Sequence, residues 1–177
     1  VYNEQMPEAT LAYLMDAFNI RKEELIPDNG YLNLEALLKL PNPLGKEYEE
    51  KQIEPIRIKE LDKLRHLLPV IRRRDLFFHY PYHSFDYFIR FLIEASTNPK
   101  VDEIKVTQYR VAEHSEVINN LINAAKNGKK VTVFVELKAR FDEENNLYTA
   151  EIMKQAGIKI IYSIPGLKVH AKVDLVN

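Results

Sequence analysis

From Ile104 to Tyr162 the sequence switches repeatedly between two hydrophobic periods, and this alternation leaves few architectures open. Ile104, Val106 and Gln108 begin a strand ending at Tyr109-Arg110, Val117 to Ala125 has helical spacing closed by Asn127-Gly128, and Lys130 to Leu137 is a valine-rich strand. The acidic Asp142-Glu143-Glu144 suits the amino terminus of a second helix, which runs to Ala156 with Gly157 as its carboxyl cap. Ile158 to Tyr162 reads as a further strand. Strand, helix, strand, helix, strand with short glycine-closed turns predicts right-handed crossovers, and therefore an α/β fold on a mainly parallel sheet with flanking helices. The next apolar run, around Val169, follows a loop too short for a helix, Ser163-Ile164-Pro165-Gly166, so its strand is expected to run antiparallel to its predecessor.

Upstream the pattern is helical. Pro7 can occupy a first helical turn, with Leu11, Leu14, Met15 and Phe18 forming one apolar stripe. Pro27-Asp28-Asn29-Gly30 is a turn signal, and Leu32, Leu34, Leu37, Leu38 and Leu40 suggest a short helix ended by Pro41-Asn42-Pro43. Residues 44–55 read as a charged connection, and Leu61 to Leu68 as an amphipathic segment leading to Arg72-Arg73-Arg74, a run read as a solvated face. Leu76 to Pro81 looks like a short buried strand, followed by a helix from Phe85 to Ala95 capped by Ser84. The division expected is a helical region over 1–68 and an α/β domain over 69–177.

Composition narrows the function classes. Of 177 residues, 46% are hydrophobic and 29% charged, as in ordinary globular proteins, and the formal net charge is -1. With a pI near 6.6 the chain is no general nucleic-acid binder, which leaves room only for local anion sites. The absence of cysteine excludes disulfides and thiolate zinc sites and fits a reducing, cytoplasmic setting. No apolar run approaches the roughly 20 residues of a membrane span. A start without methionine and a finish inside a strand-like pattern suggest a piece of a longer protein, with parts missing on both sides.

Ligands of open α/β sheets gather at the carboxyl ends of the parallel strands. Arg110 closes the first clear strand and Arg140 follows the second. Near the end of the chain, in Gly166-Leu167-Lys168-Val169-His170-Ala171-Lys172-Val173, a strand would send His170 and Lys172 to one face. A neutral imidazole can attack phosphorus, an ammonium neutralises phosphoryl oxygens, and arginine forks match them. Four such groups could surround one phosphate. The competing reading is the wet face of a sheet, with both arginines paired to Asp142 and Glu143. His79, at the end of its own expected strand, is a further candidate; His66 and His114 read as surface or loop histidines.

The stretches Asp75 to Phe85, Ile104 to Arg110, Asn127 to Asn145 and Pro165 to Lys172 together resemble the first family of polyphosphate kinases. Asp75-Leu76-Phe77-Phe78-His79-Tyr80-Pro81-Tyr82-His83-Ser84-Phe85 looks like its H-H-P-Y-x-S-F segment, and Ile104 to Arg110 like its I-K-x-T-x-Y-R strand. Asn127 to Asn145, with the core Val135-Glu136-Leu137-Lys138-Ala139-Arg140-Phe141-Asp142-Glu143-Glu144, follows the family pattern almost letter for letter, and Pro165 to Lys172 matches G-L-K-x-H-A-K. The chain departs from it with Tyr80 after His79 where two histidines are frequent, and with His83 where glutamate is common. Asn177 stands where a phospholipase D motif has aspartate.

The resemblance implies the tail of a helical domain followed by most of a first phospholipase-D-like catalytic domain. It implies reversible transfer of the terminal phosphate of ATP to inorganic polyphosphate through a phosphohistidine at His170. Lys172 would assist, and Arg110 and Arg140 would hold nucleotide phosphates that carry Mg²⁺, since guanidinium is a cation and the metal prefers oxygen. ATP, ADP and polyphosphate are the implied partners, with a homo-oligomeric full-length form and room for peripheral membrane association. A fragment without the second catalytic domain is expected to be inactive alone. Two other readings share these residues: a phospholipase-D-type phosphodiesterase half-site, and a noncatalytic phosphate-binding module.

Overall fold

The computed structural model describes residues 1–28, 36, 37, 40–112 and 114–177. They fall into two compact units, Val1–Gln52 and Ile53–Asn177. In the first, β1 (Tyr2–Asn3) pairs in parallel with β2 (Pro27–Asp28). The helix α1 (Glu8–Ala17) lies between them in sequence, with Pro7 at its cap position. Leu11, Leu14 and Met15 are half-buried. Phe18 is 70% exposed, because the helix ends one residue before it and the stripe loses its last member. Pro27 and Asp28, expected in a turn, are the strand β2, while Asn29 and Gly30 lie outside the described residues. So does most of the helix expected from Leu32 to Leu40.

The second unit carries the α/β architecture. After α2 (Lys59–Asp62) and α3 (Leu68–Ile71) come α4 (Asp86–Thr97), β3 (Glu103–Gln108), α5 (Glu116–Lys126), β4 (Lys130–Val135), α6 (Glu143–Gln155), β5 (Lys159–Tyr162) and β6 (Asp174–Val176). The sheet order is β5-β4-β3-β6, with β3, β4 and β5 parallel as the alternation predicts. Glycines at left-handed φ close both crossover helices, Gly128 at 82° and Gly157 at 85°, a conformation that only a residue without Cβ adopts freely. Ser115 starts α5 by accepting the Ile118 N–H at 3.4 Å.

One face of the sheet is buried. Ile104, Val106, Val131, Val133 and Val135 form a core with Leu121 and Ala124 of α5 and Ala150 and Met153 of α6. Each fully buried aliphatic side chain there contributes roughly 1.5 to 3 kcal/mol by transfer from water. The alternate positions look the other way, and on that second face Lys105, Lys130, Lys159 and Ile161 are exposed. A smaller core joins Leu61, Leu67 and Tyr87. Among the described residues no helix is long and apolar enough to cross a membrane.

Three local expectations are corrected. Leu76 to Pro81 forms no strand: Phe77 is 86% exposed, and Phe78 stacks on Tyr80 and Tyr87 at 6.0 and 5.3 Å. Ring packing replaces a ladder there, and the bridge to Ile56 falls later, at His83. Ser84 is not the cap of α4, which is Phe85, although its hydroxyl accepts the Asp86 N–H at 3.3 Å. Finally, residues 167–173 are not a strand. Only Asp174–Val176 pairs, antiparallel to β3 rather than to the preceding β5. One more main-chain bond follows, from the Thr107 N–H to the Val173 carbonyl at 3.0 Å, and beyond it a side chain takes over: Thr107 Oγ1 accepts the Val173 N–H at 2.7 Å and donates to the Ala171 carbonyl at 3.0 Å.

Candidate functional site

Placing β6 beside β3 brings the histidine segment next to Tyr109-Arg110, at the carboxyl end of β3. Tyr109 becomes the hub. The His170 ring meets it edge-on at 4.8 Å, and Lys172 Nζ lies 4.6 Å, Lys168 Nζ 5.4 Å and the Arg110 guanidinium carbon 5.6 Å from the ring centroid. A tyrosine ring attracts cations through its quadrupole, so it can gather like charges that would otherwise separate. Tyr109, Arg110, His170 and Lys172 line one cavity of about 770 Å³ whose apolar wall includes Phe85 and Leu121.

The expected quartet is therefore met in part. His170, Lys172 and Arg110 converge although the strand that was to align the first two is absent. Arg140 joins through its main chain, its carbonyl accepting from Arg110 at 3.2 Å, and its exposed side chain does not line the cavity. Arg110 also pairs with Asp142 at 2.8 Å, as the competing reading supposed. Phe141, next to Arg140, has φ of 71° and is exposed, so the turn that carries Arg140 is held in a conformation disfavoured for a bulky residue. His79 is off the cavity: its N–H donates to His83 Nδ1 at 2.8 Å and its ring lies 5.1 Å from Tyr82. Its neighbour Tyr80 lines the cavity instead.

Two buried side chains missed in the sequence hold this edge together. Asn146, fully buried on α6, donates to the Tyr109 carbonyl at 2.9 Å and the Glu136 carbonyl at 3.0 Å, tying the ends of β3 and β4. Glu136 is 1% exposed. Its carboxylate accepts the N–H groups of Lys138 and Val169, both at 2.8 Å. Burial pushes this carboxyl up, but the two N–H groups, the Ser163 hydroxyl and the charge of Lys168 outweigh it and hold the group below the usual range. The signal was present: an acid directly after an uninterrupted strand run, at the sheet edge where ligands bind.

The donor set fits phosphate better than bare metal. Among the described residues no three His, Cys, Asp or Glu side chains cluster as a metal site, and a guanidinium does not ligate magnesium.

Comparison with known proteins gives the site its context. Residues 66–177 match the model of the polyphosphate kinase C-terminal domain 1. The chain belongs to the polyphosphate kinase family. Polyphosphate kinase of Vibrio vulnificus (strain CMCP6) is 41% identical over 179 residues, which is all of this chain and 25% of that protein. That of Escherichia coli (strain K12) is 41% identical over 180 residues, 26% of its length. The crystal structure of polyphosphate kinase from Porphyromonas gingivalis superposes with a TM-score of 0.73 at 47% identity, covering 99% of this chain and 26% of that one. The chain thus spans about a quarter of these polyphosphate kinases, and the α/β fold read from the sequence is the fold of the family.

Proposed function

We propose that this chain is part of an enzyme that reversibly transfers the terminal phosphate of ATP to inorganic polyphosphate, with His170 as the group that is phosphorylated. The observation that carries the reading is the convergence of His170, Lys172 and Arg110 around Tyr109 at the edge of one cavity. In the first step a neutral nitrogen of His170 attacks the γ-phosphorus, a P–N bond forms, and the bond to the β,γ-bridging oxygen breaks with its electrons leaving on ADP. In the second, a terminal oxygen of polyphosphate attacks the same phosphorus and the P–N bond breaks. Lys172 and Arg110 would stabilise the equatorial oxygens, with Arg140 as a second arginine near the nucleotide phosphates. Magnesium would enter with the nucleotide, as part of the substrate, held by phosphate oxygens.

On this reading the residues to about Leu68 end a helical domain, and the remainder is most of a first, phospholipase-D-like catalytic domain. The chain alone would be inactive, and the full-length protein would act in the cytoplasm as a homo-oligomer. The test is labelling of the complete protein with ATP carrying a radioactive γ-phosphate. An acid-labile, alkali-stable phosphoprotein is expected, and it should vanish in His170→Ala. Normal labelling of that variant would remove His170 from the mechanism. The 2.8 Å pair of Arg110 with Asp142 supports a second reading, a phosphate-binding module without chemistry. Complete absence of phosphoprotein in the wild-type protein, with retained polyphosphate binding, would favour it.

A further inference from the structure

The geometry points to Glu136 as the positioning residue of His170: its buried carboxylate pins the main chain next to the histidine and so aims the imidazole. The inference rests on the reading of His170 as the phosphorylated group. Residues 167–173 have no regular structure, so nothing periodic fixes the direction of the His170 side chain. Two side chains do so instead, one on each side. Thr107 holds Ala171 and Val173, and Glu136 holds Val169.

Glu136 is the more telling of the two because it is a charge in a place where charge is costly. Its surroundings remove water from the carboxylate, which is tolerable only if both oxygens are saturated by strong donors. One oxygen takes the Lys138 N–H, in the turn that goes on to Arg140. The other takes the Val169 N–H, one residue before the histidine. A single rigid group at the end of β4 therefore sets the spacing between the turn carrying Arg140 and the segment carrying His170. Ser163 adds a link, accepting the Leu137 N–H at 3.2 Å while its hydroxyl faces the carboxylate. A neutral amide cannot replace this arrangement: in Glu136→Gln one of the two positions would set an N–H against an N–H. The irregular segment at Val169 is the side that lets go.

The experiment uses the complete protein and follows phosphoenzyme formation from γ-labelled ATP in single turnovers, recording rate and final amount separately. Wild type and His170→Ala come first; loss of label in the latter supports the underlying reading, and its persistence would overturn that reading and with it the role given to Glu136, whereas failure of the Glu136 role alone shows only in the variants that follow. In Glu136→Gln the rate of labelling is expected to fall roughly 10- to 100-fold, the scale set by a misplacement of about 1 Å. The final amount and the KM for ATP should stay within about twofold. Val169→Pro removes the same hydrogen bond from the donor side, and remains informative if Glu136→Gln does not fold. It should slow labelling to a similar degree, and combining the two should add little, because both delete one interaction. An unchanged rate in both variants overturns the proposal. So does a reduced amount of label at normal rate, which is the mark of a carboxylate that only supports folding, and so do fully additive effects.

Discussion

Tyr109 shows how a single side chain can arrange like charges. Three cations and a histidine edge surround its ring, and Tyr109 lies at the end of β3, where Asn146 fixes its carbonyl. If the ring quadrupole does the gathering, Tyr109→Phe should leave substrate affinity of the complete enzyme nearly unchanged. Tyr109→Leu should weaken it by about 1 to 3 kcal/mol, two or three exposed cation–π contacts, read as a rise in KM for polyphosphate. Equal losses in both variants would assign the effect to the hydroxyl. Glu136 makes a prediction in pH. Its carboxyl is lowered from the ordinary value of 4.5, so its contribution to stability is present above that value and disappears as pH falls through the lower folded one. Glu136→Gln should therefore be less stable near neutrality but flatter on the acid limb, measured by urea unfolding between about pH 5 and pH 2.

At the level of elements, Asn146 joins two strand ends that carry the site. Asn146→Ala leaves the Tyr109 and Glu136 carbonyls without that donor, at about 1 to 3 kcal/mol for each group left unsatisfied. Urea unfolding should show a loss of about 2 to 6 kcal/mol, and a loss under 1 kcal/mol would mean that water replaces the amide. The same edge shows what the sequence could and could not reveal. The strands and helices of 103–162 were legible because period, caps and glycine turns all agreed. The segment around His170 was misread as a strand because its alternation, Val169-His170-Ala171-Lys172-Val173, is real but is served by Thr107 and Glu136 rather than by a ladder. Leu76–Pro81 failed differently: aromatic residues favour strands, and here they favoured each other. Of the candidate site, Arg110, His170 and Lys172 were readable from type and position. Tyr109 and Asn146 were not, because a ring and a buried amide acquire their roles only from contacts between segments distant in sequence, and Glu136 showed only as an acid directly after a strand run, with nothing to reveal its partner Val169.

For the molecule as a whole, the cluster of Arg110, His170 and Lys172 around Tyr109 lies in a chain that spans about a quarter of the length of its relatives. Its sheet, parallel except for β6, packs α5 and α6 against one face. On the other face Lys105, Lys130 and Lys159 stand on neighbouring strands, with Ile161 exposed beside them. In colloidal terms this is an apolar plate carrying a basic coat, thinned where Lys105 pairs with Glu103 at 2.9 Å. Two copies approaching plate to plate meet lysine before they meet hydrocarbon, and that barrier weakens as salt shortens the screening length from about 30 Å at 0.01 M to about 3 Å at 1 M. Static light scattering of this chain should give a second virial coefficient that falls with added salt, and falls at lower salt in Lys105→Ser/Lys159→Ser. A coefficient indifferent to both would mean that the coat has nothing to hide.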